Sequence, residues 1–326
     1  MNPLLGAFTR AGRGRRAAER AKARASERGG RFRAHHYIFE RFAAFEGEAP
    51  ADVHVCYIGD RVRAQFVDWP LIRTDTTVWP RLPAYDEEYF EWIDLLEAVD
   101  AAGPVFTMLE LGAGFGRWSA RGALAARQRG KTVRLGLAEA EPKHLEWLKQ
   151  HLADNNVSPG DYQVHAAAIA GTRGQATFAV GKITNAGEEW FGQAVVDIES
   201  AGRPAAGDYY GRPLLDLGGG MTAITVPQAP LSDVLADYGM IDLADFDLQG
   251  SEADAIEEAI RPLTRQVRRV HIGTHGKDIE VRLRRVLQAA GWVCLRDYSV
   301  GRQNDTAFGR ITFVDGVQSW INPRRL

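Results

Sequence analysis

At 326 residues the chain is long for one minimal domain and short for three, so the expectation is one large α/β domain carrying an extra segment. Hydrophobic residues make up 45% and charged residues 25%, and a formal net charge of -2 gives no whole-molecule argument for nucleic acid or membrane surfaces. The longest apolar runs, such as Val105 to Leu111, fall far below the roughly 20 residues that span a bilayer, and no apolar stretch follows the N-terminal basic residues as in a secretory leader.

Two cysteines, Cys56 and Cys294, cannot build a disulfide scaffold or a structural zinc site, and the expectation is a reduced, cytoplasmic protein. Between Arg10 and Arg33 the basic residues are opposed only by Glu19 and Glu27. Residues 1–35 therefore read as a basic arm: a solvated helix or tail, or a handle for an acidic partner or anionic lipid. The arm lacks the interleaved aromatics of a nucleic-acid stacking surface. Residues 36–80 read as an extension with short strands at His54 to Ile58 and Val62 to Val67, ending at Trp79-Pro80-Arg81-Leu82-Pro83. Residues 81–326 form the main domain. It opens with a helix over Asp86 to Val99.

A regular alternation follows. Strands are expected at Val105–Leu111, Thr132–Ala138, Tyr162–Ile169 (with a short one at Gln175–Val180), Leu243–Leu248 and Val267–Gly273. The helices between them are Trp118–Arg129, Lys143–Asn155, Leu231–Tyr238, Ser251–Ile260 and Asp278–Ala290. Residues 185–220, rich in Gly, Pro and polar side chains, read as a variable loop or lid. Trp190, Phe191, Tyr209 and Tyr210 there are either stacking groups for an acceptor or surface anchors. Trp292–Tyr298 and Arg310–Val314 close the chain as an antiparallel hairpin. The fold class is thus a mostly parallel, seven-stranded α/β sheet, Rossmann-like, with a C-terminal antiparallel hairpin and an N-terminal extension.

An open parallel sheet binds its ligand at the carboxyl ends of its strands, near the point where strand order reverses. The first strand ends in Glu110-Leu111-Gly112-Ala113-Gly114-Phe115-Gly116. A dinucleotide fingerprint would need a glycine where Arg117 stands, so the NAD pattern fails, and no phosphate-loop Gly-Lys-Ser/Thr follows. Glu110 is placed to orient the loop or to meet the cationic methionine end of S-adenosylmethionine. After the second strand, Glu139-Ala140-Glu141-Pro142 lies where an acidic residue meets ribose hydroxyls. Glu141 is favoured over Glu139, because Pro142 opens the next helix. Ala168, near the carboxyl end of the third strand, joins the expected cofactor contacts.

These stretches resemble the FkbM family of methyltransferases. Leu109 to Trp118 is similar to the family's first glycine motif, and Glu141-Pro142 with Leu145, Leu148 and Asn155-Asn156 to its second. Asp245-Phe246-Asp247-Leu248-Gln249-Gly250-Ser251-Glu252 resembles the I-D-V-E-G-x-E segment, and Leu231-Ser232-Asp233 the preceding L-D-D. The likeness covers Leu82 to Tyr298, and one departure is Gln249 in place of a glutamate. The resemblance implies a class I sheet using S-adenosylmethionine to methylate a hydroxyl of a sugar, glycan precursor or secondary metabolite.

Methyl transfer is an in-line displacement, so alignment supplies much of the rate, and an alcohol acceptor must also lose its proton. Asp247 and Gln249 end one strand, and His271 and His275 end its neighbour. His275, in a glycine-flanked loop, is the preferred base, titrating near neutrality as an exposed imidazole. His271 sits earlier in its strand, packed or hydrogen-bonded, and Asp247 orients His275, contacts the cofactor or acts as base. Asp247, His271, His275 and Asp278 offer imidazole and carboxylate ligands. No metal is assigned, because no helix places the histidines on one face. N-methylation of an amino sugar, a non-catalytic interaction protein on this fold and a nicotinamide dehydrogenase are the rival functions. Homo-oligomerisation stays open.

Overall fold

The structure, a computed structural model, describes residues 35–67, 77–78, 80–181, 195–196 and 203–326. The basic arm, Trp79, Trp190 and Phe191 lie outside these residues. Seven strands build the main sheet and are numbered along the chain: β1 (Val105–Leu111), β2 (Thr132–Ala138), β3 (Tyr162–His165), β4 (Leu243–Phe246), β5 (Arg269–Thr274), β6 (Val293–Tyr298) and β7 (Gly316–Ile321). Their order is β6–β7–β5–β4–β1–β2–β3. β7 runs antiparallel to both its neighbours, while β1 to β5 pair in parallel. Strand order reverses between β1 and β4, which puts a ligand site at their carboxyl ends.

Six of the seven β1 residues are buried, as a continuous apolar run in a doubly covered parallel strand should be. Among the described residues the α-helices are α1 (Glu88–Ala101), α2 (Arg117–Gln128), α3 (Pro142–Asp154), α4 (Leu231–Ala236), α5 (Glu252–Gln266) and α6 (Lys277–Ala289). One core joins the sheet to α1, α2 and α3, and a second joins it to α4, α5 and α6. Ile38, Phe39, Tyr57 and Ile58 of the N-terminal extension bury into the first of these cores beside Tyr89 and Trp92. The extension itself pairs Val53–Val55 with Arg61–Arg63 and Gly47–Glu48 with Thr77–Val78.

Three expectations change. The strand read over Tyr162–Ile169 divides: β3 stops at His165, and Ala168–Ala170 joins a second sheet by pairing in parallel with residues 228–230. Within the stretch read as a loop, Arg203–Tyr209 and Arg212–Gly218 form a hairpin on the long strand Met221–Pro230, which pairs in turn with Gly174–Gly181. Gly and Pro hide the alternation of those strands, and pairing to a neighbour of higher β propensity supplies what their own composition lacks. The strand closing the main sheet is β7 rather than Arg310–Val314. Gly309–Phe313 instead pairs with Arg302–Thr306 in a separate hairpin. Gln318 and Ser319, fully buried in β7, broke the apolar pattern that would have revealed it.

Candidate active site

The loop after β1 is shaped by close approach. Gly112 has φ +85, and a Cβ there would lie 1.9 Å from the Asp247 carbonyl oxygen, so only glycine fits. Gly112 and Ala113 N–H groups donate to the Ala138 carbonyl at 3.0 and 2.9 Å, tying the loop to β2. Gly114, at φ +53, has open space where a side chain would stand. Glu110 accepts from the Trp118 and Ser119 N–H groups at 3.0 and 2.8 Å, so it clamps the first turn of α2 to the end of β1. Burial pushes its pKa up to about 7, against the bonds from Ser119 and Trp118.

At the end of β2 the preference between two glutamates is reversed. Glu139 accepts from Gly114 N–H at 2.7 Å through Oε2, and from Ala140 and Glu141 N–H at 2.8 and 2.7 Å through Oε1. It lines the cavity beside the glycine loop, and burial pushes its pKa to about 7. Glu141 faces away from the cavity as the N-cap of α3, accepting from His144 N–H at 2.6 Å. The physical reason is the one that drew attention to it: Pro142 occupies the first helical position, so the residue before it must cap. Pro142 and Gly116 are also off the cavity lining, and a Cβ on Gly116 would press on Leu137 and Leu148.

The β4 and β5 ends meet as expected. His275 Nδ1 is 2.7 Å from Glu252 Oε1, and its Nε2 is 3.3 Å from Asp247 Oδ1 and 3.8 Å from Asp315. Burial disfavours its cation, yet Glu252 and Asp247 outweigh that and hold the pKa well above the usual histidine range. The expectation of an exposed base is therefore corrected: His275 is enclosed, its side chain 13% exposed, and its cation is favoured by Glu252 and Asp247. The Gln249 amide lies 2.8 Å from His275 Nε2 and donates to Asp247, on a backbone at φ +51. A glutamate at this position would add another carboxylate to Asp247, Glu252 and Asp315, which accounts physically for the neutral side chain.

Deeper in the cavity a polar row crosses the sheet. Glu110 of β1, Asp245 of β4, His271 of β5 and Ser319 of β7 stand in direct register, so all four side chains share one face. Helix α1 covers the row with Glu91 and Asp94. Fully buried Asp94 bonds to His271 Nδ1 at 2.8 Å, accepts from Ser319, and pairs with Arg269 and Arg296 at 2.8 and 2.7 Å. Burial raises its pKa, but Arg296, His271 and Arg269 more than reverse this and hold it below the usual carboxylate range. Glu91 and Asp245 hydrogen-bond each other; burial raises both, Asp245 to about 6.

Cavity-lining residues include the expected Glu110, Leu111, Gly112, Ala113, Gly114, Arg117, Ala168, Asp247, Gln249, His271 and His275. Sequence reasoning missed Asp245, Glu87, Glu88, Glu91 and Asp315 as lining residues. Asp245 was legible as a carboxylate within an apolar strand; the α1 glutamates resemble ordinary first-turn charges. Arg117 is held by Glu88 at 3.1 and 2.5 Å. Tyr210 donates to Glu146 at 3.1 Å and Tyr209 bonds to Glu141, so both rest against α3, off the cavity lining. The four metal-ligand candidates do not gather: His275 goes to Asp247, and His271 instead joins Glu91 and Asp245.

Sheet order, antiparallel β7 and a cleft at the β1/β4 switch define a Rossmann-like methyltransferase fold. The chain belongs to the FkbM methyltransferase family, whose methyltransferase domain matches residues 110–291. It is 28% identical over 236 residues to a Jannaschia sp. (strain CCS1) protein named as a methyltransferase, covering 72% of this chain and 78% of that one. Among solved structures, methyltransferase FkbM from Methylobacillus flagellatus KT is similar at 12% identity and a TM-score of 0.40, over 67% of this chain and 44% of that one. The match thus spans less than half of the Methylobacillus protein. The METTL16 methyltransferase domain is similar at 11% identity and a TM-score of 0.38, over 88% of this chain and 89% of that one.

Proposed function

We propose that the chain transfers a methyl group from S-adenosylmethionine to a hydroxyl of a sugar, glycan precursor or secondary metabolite. The observation that carries the reading is the Glu139 carboxylate held against Gly114 at the cavity wall, beside open space over the glycine loop. Oε2, which accepts from Gly114 alone, has a lone pair left for a hydroxyl of a vicinal diol, the chemistry a ribose presents. S-adenosylmethionine, when bound, supplies an electrophilic methyl on a sulfonium centre. The loop Gly112–Gly116 and Glu139 would hold its adenosine end, and the acidic walls formed by Glu91, Asp245 and Asp247 favour its positive charge.

Glu110 is committed to α2, so it shapes the loop rather than reaching for a ligand. His275, enclosed by Glu252 and Asp247, orients Asp247 rather than serving as the base. The acceptor oxygen is then placed toward Glu91, Asp245 and His271. Calorimetric titration with S-adenosylmethionine tests the reading, followed by mass-spectrometric screening of hydroxylated acceptors for one added methylene equivalent. Binding no tighter than about 1 mM would overturn it.

A further inference from the structure

We propose that Glu91, Asp245 and His271 form a binding site for one divalent transition-metal cation, of the Mn2+ to Zn2+ class. The inference rests on the methyltransferase reading for its purpose, since the ion would hold the acceptor's oxygen. The site itself stands on geometry. One ligand atom from each of the three residues lies within 4.8 Å of the others. They come from α1, β4 and β5, and all three line the cavity.

His271 gives the independent pointer. Its side chain is 4% exposed, and its hydrogen bond runs through Nδ1 to Asp94. That leaves Nε2, which makes no hydrogen bond among the described residues, for a ligand in the cavity His271 lines. A carboxylate fixing one imidazole nitrogen while the other is left for a metal is the usual arrangement around metal-bound histidine. Asp94 in turn is charge-balanced: Asp94 and Glu97 face Arg269 and Arg296.

Among the described residues Glu91 and Asp245 make no such ion pair with an arginine. Glu91 and Asp245 carboxyls stand side by side in the cleft and share a proton, which a divalent ion bound between their oxygens would displace. One imidazole and two carboxylates suit borderline ions better than Mg2+ or Ca2+, which favour all-oxygen sites. The coordination positions left would face the cavity, open to a hydroxyl or to two adjacent oxygens of an acceptor, and the ion would make such a hydroxyl more acidic.

The test titrates chelator-stripped full-length chain with MnCl2, followed by electron paramagnetic resonance and calorimetry, with ZnCl2 as competitor. One equivalent should bind, Zn2+ should displace it, and Glu91→Gln and Asp245→Asn should each weaken it about tenfold or more. Glu91 is half-buried at the cavity wall, so Glu91→Gln keeps its shape and guards against a result that only reports misfolding. Absence of Mn2+ binding below about 1 mM, or binding unchanged in both variants, overturns the site. S-adenosylmethionine binding is measured on the same stripped protein. If it persists without Mn2+ binding, the metal site fails and the methyltransferase reading stands; if the cofactor fails to bind, that reading fails instead.

Discussion

The carboxylate of Glu139 reaches back across the strand ends to take the N–H of Gly114 at 2.7 Å, joining the second strand to the glycine loop of the first. Its neighbour Glu141, two residues on, spends its carboxylate on the α3 N-terminus instead. On the proposed function the two residues would separate binding from stability.

Glu139→Gln should weaken S-adenosylmethionine binding about tenfold to a hundredfold, the worth of a charge-assisted hydrogen bond. Glu141→Gln should leave that affinity within about twofold and lower stability by about 1 kcal/mol through loss of the cap. Calorimetry and denaturant unfolding on both variants decide it. Equal loss of affinity in the two would refute the assignment of Glu139.

Gly112→Ala should be far more damaging than the same change at another left-handed glycine. Its Cβ would meet the Asp247 carbonyl at 1.9 Å, and both partners are backbone. Gly130 has φ +66 but open space around it. Gly130→Ala should cost about 1 kcal/mol, and Gly112→Ala at least about 2 kcal/mol more. Urea unfolding of the two variants measures the gap.

Stability should carry a histidine signature in mild acid. Burial lowers the pKa of His151 from 6.5 to about 4, while Asp60 works weakly the other way. Below pH 6.5 the unfolded chain takes up a proton that the folded chain refuses until about pH 4. Stability from this group is thus complete above 6.5 and falls as pH drops through that window, by about 3 kcal/mol at its lower end. His151→Gln should remove that component of the slope. An unchanged slope in the variant would count against a neutral, buried His151.

Asp94→Asn should destabilise by about 3–5 kcal/mol, because Arg269 and Arg296 would lose the fully buried charge between them. The midpoint of urea unfolding is the readout. Loss below about 1 kcal/mol would show that the pair is solvated and that Asp94 is dispensable.

Much of this fold was legible because its parallel strands are long apolar runs and its helices are periodic. The glycine loop was legible because its backbone conformation demands particular residues. Glu139 and Glu141 were harder: sequence places both at one strand end, and only the capping geometry separates them. His275 looked like a base because a glycine-flanked loop suggests exposure, whereas Glu252 and Asp247 enclose it from elements that sequence distance does not connect. The role of Asp94 was hidden for the same reason, its partners lying 175 to 225 residues away. β7 escaped because its buried Gln318 and Ser319 mimic an exposed strand.

The row Glu110, Asp245, His271 and Ser319 also bears on how the chain reaches this arrangement. Side chains alternate faces along a strand, so a slip of one residue in β4 would turn Asp245 into the apolar layer under α5 and bring Ala244 or Phe246 up against Glu91. A buried carboxylate among Leu and Ile side chains is expensive, and so is a lone Asp94 without its histidine. Misaligned sheets are thereby penalised at several strands at once. The groups that would act on an acceptor also serve as alignment marks during folding, in strands whose leucines and valines would tolerate more than one pairing.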